Sequence, residues 1–205
     1  MLSLIAAATL LVAPSALDRA PSDTVTHAAH QATTWQIDQA HSELRFRIRH
    51  FVNRISGTFT DWDGTVTGDP GNWGDGSVTV DIRAKSVDTR NERRDNDLRS
   101  ERFFEVEKYP EVTFTSRSVT VAGSDLTILG DLTIKGTTKA VTLKGSYLGI
   151  TPGREGKDRV GFEASTTINR LDYGVSWNRT VEGGGVMLGD EVTIEISIEA
   201  VKQSS

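Results

Sequence analysis

Apolar and polar side chains alternate with a period of two along stretch after stretch of this chain, a pattern that only extended backbone can use. In Glu43–His50, ELRFRIRH, the residues Leu44, Phe46, Ile48 and His50 share one face, while Glu43, Arg45, Arg47 and Arg49 share the other. The pattern recurs over residues 77–85, with Val78, Val80, Ile82 and Ala84 inward, and over 192–200, with Val192, Ile194, Ile196, Ile198 and Ala200 inward. Between them lie Leu126, Ile128, Gly130, Leu132 and Ile134, then Val141, Leu143, Gly145 and Tyr147, then Val160, Phe162, Ala164, Thr166 and Ile168. Each strand therefore has one wet side and one dry side, which is the signature of antiparallel pairing.

About eight such strands, at this length, must pair into a sandwich or close on themselves. Closure is the better expectation, because it removes exposed edges and because Gly57, Gly64, Gly130, Gly145 and Gly161 supply places for coiling or bulges. Turn chemistry at KGTTK (135–139) and at Gly189-Asp190 separates alternating runs in the manner of hairpin loops. The one segment that breaks the alternation is 89–109, whose charged run NERRDNDLRS and following ERFFEVEKY suit one or two short helices ended by Pro110. The expected fold is all-β: an eight-stranded antiparallel barrel with a short helical insertion. Such a barrel is filled by its own side chains or holds one small ligand. Small inward residues (Gly57, Ala84, Gly130, Gly145, Ala164) favour space inside, but they equally suit a filled core with large neighbours.

The chain's ends and charge set its surroundings. Residues 2–13, LSLIAAATLLVA, form an uncharged apolar run too short to span a bilayer, followed by Pro14 and by small residues at Ala13, Ser15 and Ala16. Residues 1–16 read as a signal peptide, 17–32 as a leader without apolar period, and 33–202 as the barrel domain, which places the protein in the periplasm or outside the cell. No stable membrane span is expected. The net charge is −5, and loss of Asp18, Arg19 and Asp23 with the first 32 residues leaves −4, so nucleic acid is not an expected partner. The absence of cysteine removes disulfides, thiol nucleophiles and thiolate metal sites.

Six ordered segments carry a resemblance. They are WQIDQAHSELRFRIRH (35–50), SGTFTDWDGTV (56–66), VDTRNERRDNDLRSERFFEVEKYPEVTFTS (87–116), GDLTIKGTTKAVTL (130–143), NRLDYG (169–174) and GDEVTIEISIEA (189–200). Together they make the domain resemble the YceI-like family of bacterial secreted or periplasmic proteins. The resemblance implies a lipocalin-like barrel that binds polyisoprenoids or other long apolar chains, and is compatible with a homodimer; no cofactor is expected. Asp97 stands before Leu98 where the family usually has histidine.

Alternation projects Phe46, Ile48, Phe59, Val80, Ile82, Phe114, Leu132, Leu143, Phe162 and Ile168 inward as candidate lining of an apolar tunnel. His41, Ser42 and His50, at the ends of the first strand, are candidate contacts for a polar ligand head. Arg94, Asp95 and Arg99 read as a network fixing the helical segment, Asp88 and Thr89 as its caps, and Arg170 with Asp172 as a corner pair. Catalytic signals are weak, for no GxSxG elbow is present and the glycine run 183–185 lacks a phosphate-binding pattern. His27 and His30 form an HxxH pair in the leader without further ligands, and no metal site is expected. The function that follows is non-enzymatic binding, sequestration or transport of a polyisoprenoid, isoprenoid quinone or fatty-acid derivative. Two alternatives remain: a filled-core interaction or stress-response module of the cell envelope, and an enzyme acting on a lipid head group.

Overall fold

Eleven strand segments, all antiparallel to their neighbours, form one sheet that closes on itself. The computed structural model describes residues 32–180 and 184–203; the expected signal peptide, nearly all of the leader, and His27 and His30 lie outside them. The segments are β1 (Thr34–Ile37), β2 (Glu43–His50), β3 (Asn53–Phe59), β4 (Trp62–Asp69), β5 (Asn72–Arg83), β6 (Val87–Asp88), β7 (Glu111–Ala122), β8 (Asp125–Ile134), β9 (Thr137–Thr151), β10 (Arg159–Asn169) and β11 (Leu188–Lys202). Register shows that three pairs of segments are single strands interrupted once. β2 pairs with β3 and β1 with β4, while β6 and β5 follow β3 and β4 in turn, so β1/β2, β3/β4 and β5/β6 each run the height of the wall. Eight strands result, each bonded to its neighbour in sequence, and the last, β11, closes on both parts of the first. This is an up-and-down barrel, and closure leaves no long free edge.

The interruptions have local causes. In the first strand the polar DQAHS turns as a 3-10 helix at Gln39–His41, because the Asp38 side chain accepts from Ala40 N, and Ser42 then staples the turn to β11 through Glu199 N (2.9 Å). The hairpin between β8 and β9 turns on Lys135 and Gly136, both with positive φ, as an expected two-residue connection does. Gly189-Asp190 is no hairpin: it lies inside β11, at an irregularity of register between Leu188 and Val192. Gly189 there lets β11 pass close to Arg49, whose Cβ would stand 3.1 Å from an added methyl.

The insertion between β6 and β7 holds one α-helix, α1 (Glu92–Arg99). Its cap is Asn91, whose side chain accepts from Arg94 N (3.0 Å), rather than Asp88 or Thr89. Asp88 instead accepts from Arg90 N, and Thr89 bonds to the buried Asp95. The helix stops because Ser100 bonds back to Asp97 O (2.6 Å), and residues 100–109 continue as turns that bring Phe103 into the core. Among the described residues, no helix is long and apolar enough to cross a membrane.

Candidate functional site: an apolar cavity with one polar end

The inward faces of the eight strands enclose an unfilled space of about 330 Å³. A single water needs on the order of 10–15 Å³ of such space and several polar partners, so this wall leaves room for much more than a water but offers mostly hydrocarbon. Two features keep the centre empty. Many inward residues are short and β-branched, as in Val78, Val80, Ile82, Val192, Ile194 and Ile196, and remain only half-buried. The longer rings are laid against the wall over glycines: a methyl on Gly57 would stand 2.5 Å from Phe46 Cζ, and one on Gly130 would stand 2.4 Å from Phe114 Cζ. Gly57 and Gly130 therefore make room for rings; they are not themselves the space.

All ten residues projected inward by alternation, namely Phe46, Ile48, Phe59, Val80, Ile82, Phe114, Leu132, Leu143, Phe162 and Ile168, line this cavity. At the end where β4 turns into β5 the space has an aromatic floor. Trp73 packs edge-on against Phe162 (5.2 Å between centroids) and Tyr147 (5.6 Å), with Trp35 behind it, its indole N–H donating to Gly68 O (3.1 Å).

The opposite end is polar. His50, Thr89, Arg94, Asp97 and Arg170 line it, contributed by the β2–β3 hairpin, the insertion and the segment after β10. Arg94 donates from Nε to Thr89 Oγ1 (2.7 Å) and from Nη2 to Thr89 O (2.8 Å), while the Thr89 hydroxyl donates to Asp95. Asp97 pairs with Arg102 at 2.6 Å, and Arg102 lies 5.6 Å over the Trp177 ring, which itself packs on Phe103. These contacts tie the insertion to the β10–β11 segment across the mouth.

Arg170 is buried and holds that segment from beneath. It donates to Gly189 O (2.9 Å), Val175 O and Trp177 O (2.9 Å), and pairs with Asp190, not with Asp172. Burial lowers the pKa of its guanidinium, and Asp190 works against that shift. Asn178 clamps the same loop by bonding both N and O of Leu188. Tyr173 also lines the cavity; its hydroxyl is buried and has no hydrogen-bond partner among the described residues. Burial first, and the nearby Asp172 charge second, push its pKa up to about 12, so it stays a protonated donor.

His41 and Ser42 lie elsewhere. His41 is exposed and bonds Asp38 through Nδ1 (2.9 Å), and Ser42 is occupied with the Glu199 backbone. Asp38, His41 and Glu199 offer ligand atoms within 4.8 Å of one another, but the Arg159 guanidinium already bonds both carboxylates. Of the three polar candidates only His50 reaches the cavity. Thr89, Asp97, Tyr173 and Trp177 escaped alternation because they sit on helix, turn or loop, where no period of two marks the inward side.

A closed up-and-down barrel, lined mostly by hydrocarbon and polar at one end, defines a class of small apolar-cavity proteins. Within that class the chain belongs to the YceI-like family, whose YceI-like domain matches residues 35–200. It is 38% identical over 169 residues to a UPF0312 protein of Staphylococcus aureus strain MSSA476, covering 82% of this chain and 96% of that one. Among solved structures, a YCEI protein of Campylobacter jejuni is similar with TM-score 0.67 and 28% identity, over 76% of this chain and 90% of the other. Burkholderia cenocepacia BcnA shares the fold with TM-score 0.70 at 22% identity, over 80% and 98% of the two chains. A polyisoprenoid binding domain from Saccharophagus degradans shares it with TM-score 0.64 at 15% identity, over 83% and 99%.

Proposed function

We propose that this protein binds and carries, without chemical reaction, one long apolar chain: a polyisoprenoid, an isoprenoid quinone or a fatty-acid derivative. The observation that carries the reading is the unfilled, mostly apolar interior of about 330 Å³, with His50, Arg94, Asp97 and Arg170 at one end of it. Nine strand residues rise about 30 Å, and a barrel tilt near 40° leaves roughly 23 Å of axial reach, so a chain fits lengthwise. About 12 buried methylenes, at about 0.8 kcal/mol each, correspond to roughly 10 kcal/mol before ordering costs. Affinity then needs no catalytic group. The description of the Saccharophagus degradans neighbour as polyisoprenoid binding supports the same chemical class.

Within this reading the polar head of the ligand stays at the mouth, beside His50, Arg94 and Asp97, and the Tyr173 hydroxyl donates to an acceptor on the chain, such as a carbonyl. His41 and Ser42 take no part in it. The signal peptide read at residues 1–16 directs the protein to the periplasm or outside the cell. A filled-core interaction module is disfavoured by the empty interior, and an enzyme acting on a head group is disfavoured because Arg94, Asp97 and Arg170 are engaged in holding the mouth together.

Native mass spectrometry of the purified protein, followed by organic extraction, tests the reading. A bound chain of fixed mass that leaves on extraction is the expected result. Repeated recovery of empty protein that also ignores added long-chain lipids would overturn it.

A further inference from the structure

Beside the polar mouth, the β2–β3 hairpin pushes two apolar side chains into solvent. Val52, at its tip, is 104% exposed and Phe51 40%, and Val186 on the neighbouring β10–β11 segment is 40% exposed. These residues belong to the rim itself. Phe51 N donates to Met187 O (2.8 Å) and the Phe51 ring stands edge-on to His50 (4.6 Å), and both Met187 and His50 line the cavity. The tip is a protrusion, so it presents no groove for a peptide to lie in.

The charges around it are equally unusual. On the outer face of β2, Arg45 pairs with Glu43 and Arg47 with Glu195. Arg49 and Arg54 stand directly opposite each other across the hairpin, both exposed, and neither has a carboxylate partner among the described residues. Like charges in register across a strand pair oppose folding. Arg49 is spent only on Phe51 O (3.1 Å), which keeps its guanidinium at the tip. Two unpaired cations flanking exposed valine and phenylalanine match an interface with anions in a plane and hydrocarbon beneath them.

We propose that the β2–β3 tip docks the barrel mouth-first onto a bilayer surface containing anionic phospholipid, with Val52 and Phe51 entering the acyl boundary and Arg49 and Arg54 on the headgroups. This rests on the carrier reading and adds the source of its cargo: the chain passes between bilayer and cavity at this rim without crossing water.

The full-length mature protein is floated with phosphatidylcholine vesicles, with and without phosphatidylglycerol, and uptake of the fluorescent fatty acid parinaric acid from aqueous solution is measured separately. Flotation is expected with phosphatidylglycerol at low salt and not with phosphatidylcholine alone. Val52→Asp lowers the floated fraction about tenfold, the effect of removing one apolar anchor. Arg49→Gln with Arg54→Gln abolishes the dependence on phosphatidylglycerol, and both variants keep wild-type uptake from solution. Absence of flotation, flotation unchanged in Val52→Asp, or a concentration-dependent dimer that Val52→Asp abolishes in place of flotation would each overturn the docking surface. Wild-type flotation without any parinaric acid uptake would support the docking surface and remove the carrier reading instead.

Discussion

Phe46 and Gly57 are direct cross-strand partners, and the ring of the first covers the bare backbone of the second so closely that a methyl there would meet Phe46 Cζ at 2.5 Å. The pair shows how this barrel stays hollow: an aromatic side chain that would otherwise reach for the axis is folded flat against the wall.

Gly57→Ala is expected to push the Phe46 ring into the cavity, destabilising the fold by about 1–3 kcal/mol and weakening ligand uptake. Gly145→Ala is expected to cost more, since its methyl would stand 1.9 Å from the Glu163 carbonyl and only the sheet itself could yield. Denaturant melts of the two variants, side by side, check the order.

Filling the cavity should separate binding from folding. Ile194, opposite Phe46 and Thr166 on the inner wall, is only half-buried because it faces the empty space. Ile194→Trp is expected to fold with a melting temperature near that of wild type and to lose chain uptake more than about tenfold, as bulk replaces the volume a ligand needs. Retained uptake with the indole in the cavity would contradict the carrier reading.

Phe162 closes the floor with Trp73 and Tyr147, both within 5.4 Å of it between centroids. Phe162→Ala removes a buried ring from that cluster and is expected to lower stability by about 3–5 kcal/mol, measured by urea unfolding.

Tyr173 carries a buried hydroxyl without a partner, and such a group opposes folding. Tyr173→Phe is therefore expected to leave stability unchanged or raise it by up to about 1 kcal/mol. Binding of a quinone or other acceptor-bearing chain should weaken about fivefold, corresponding to one lost hydrogen bond, while a plain hydrocarbon of equal length should bind as before. Titration of both ligand types against both proteins gives the comparison.

At the interruption of the first strand, the hydrogen bond from His41, aided by Arg159, holds the Asp38 carboxyl below its ordinary value. The unfolded chain then binds the extra proton first as pH falls. The stability Asp38 contributes is complete above its unfolded pKa of about 3.9 and is lost as the pH drops through the lower folded value. The difference in unfolding free energy between wild type and Asp38→Asn should shrink as the pH falls below about 4, read from urea melts at stepped acid pH.

The eight-stranded barrel, its alternating faces and a short helical insertion were legible in the sequence, because alternation is a local property of the chain and a one-residue slip would reverse it everywhere. Three local readings changed for equally local reasons. Gly189-Asp190 proved to be an irregularity within β11 rather than a turn, Asn91 took the cap expected of Asp88 and Thr89, and Arg170 chose Asp190 over Asp172. Only the tertiary structure could decide that the interior is empty. A binary pattern says which way Phe46 and Phe114 point but not that Gly57 and Gly130 let their rings lie flat, and it is silent about Arg94, Asp97 and Tyr173, brought to the cavity by segments with no period at all. Volume and long-range pairing are sums over distant residues, so they exist only once the wall has closed.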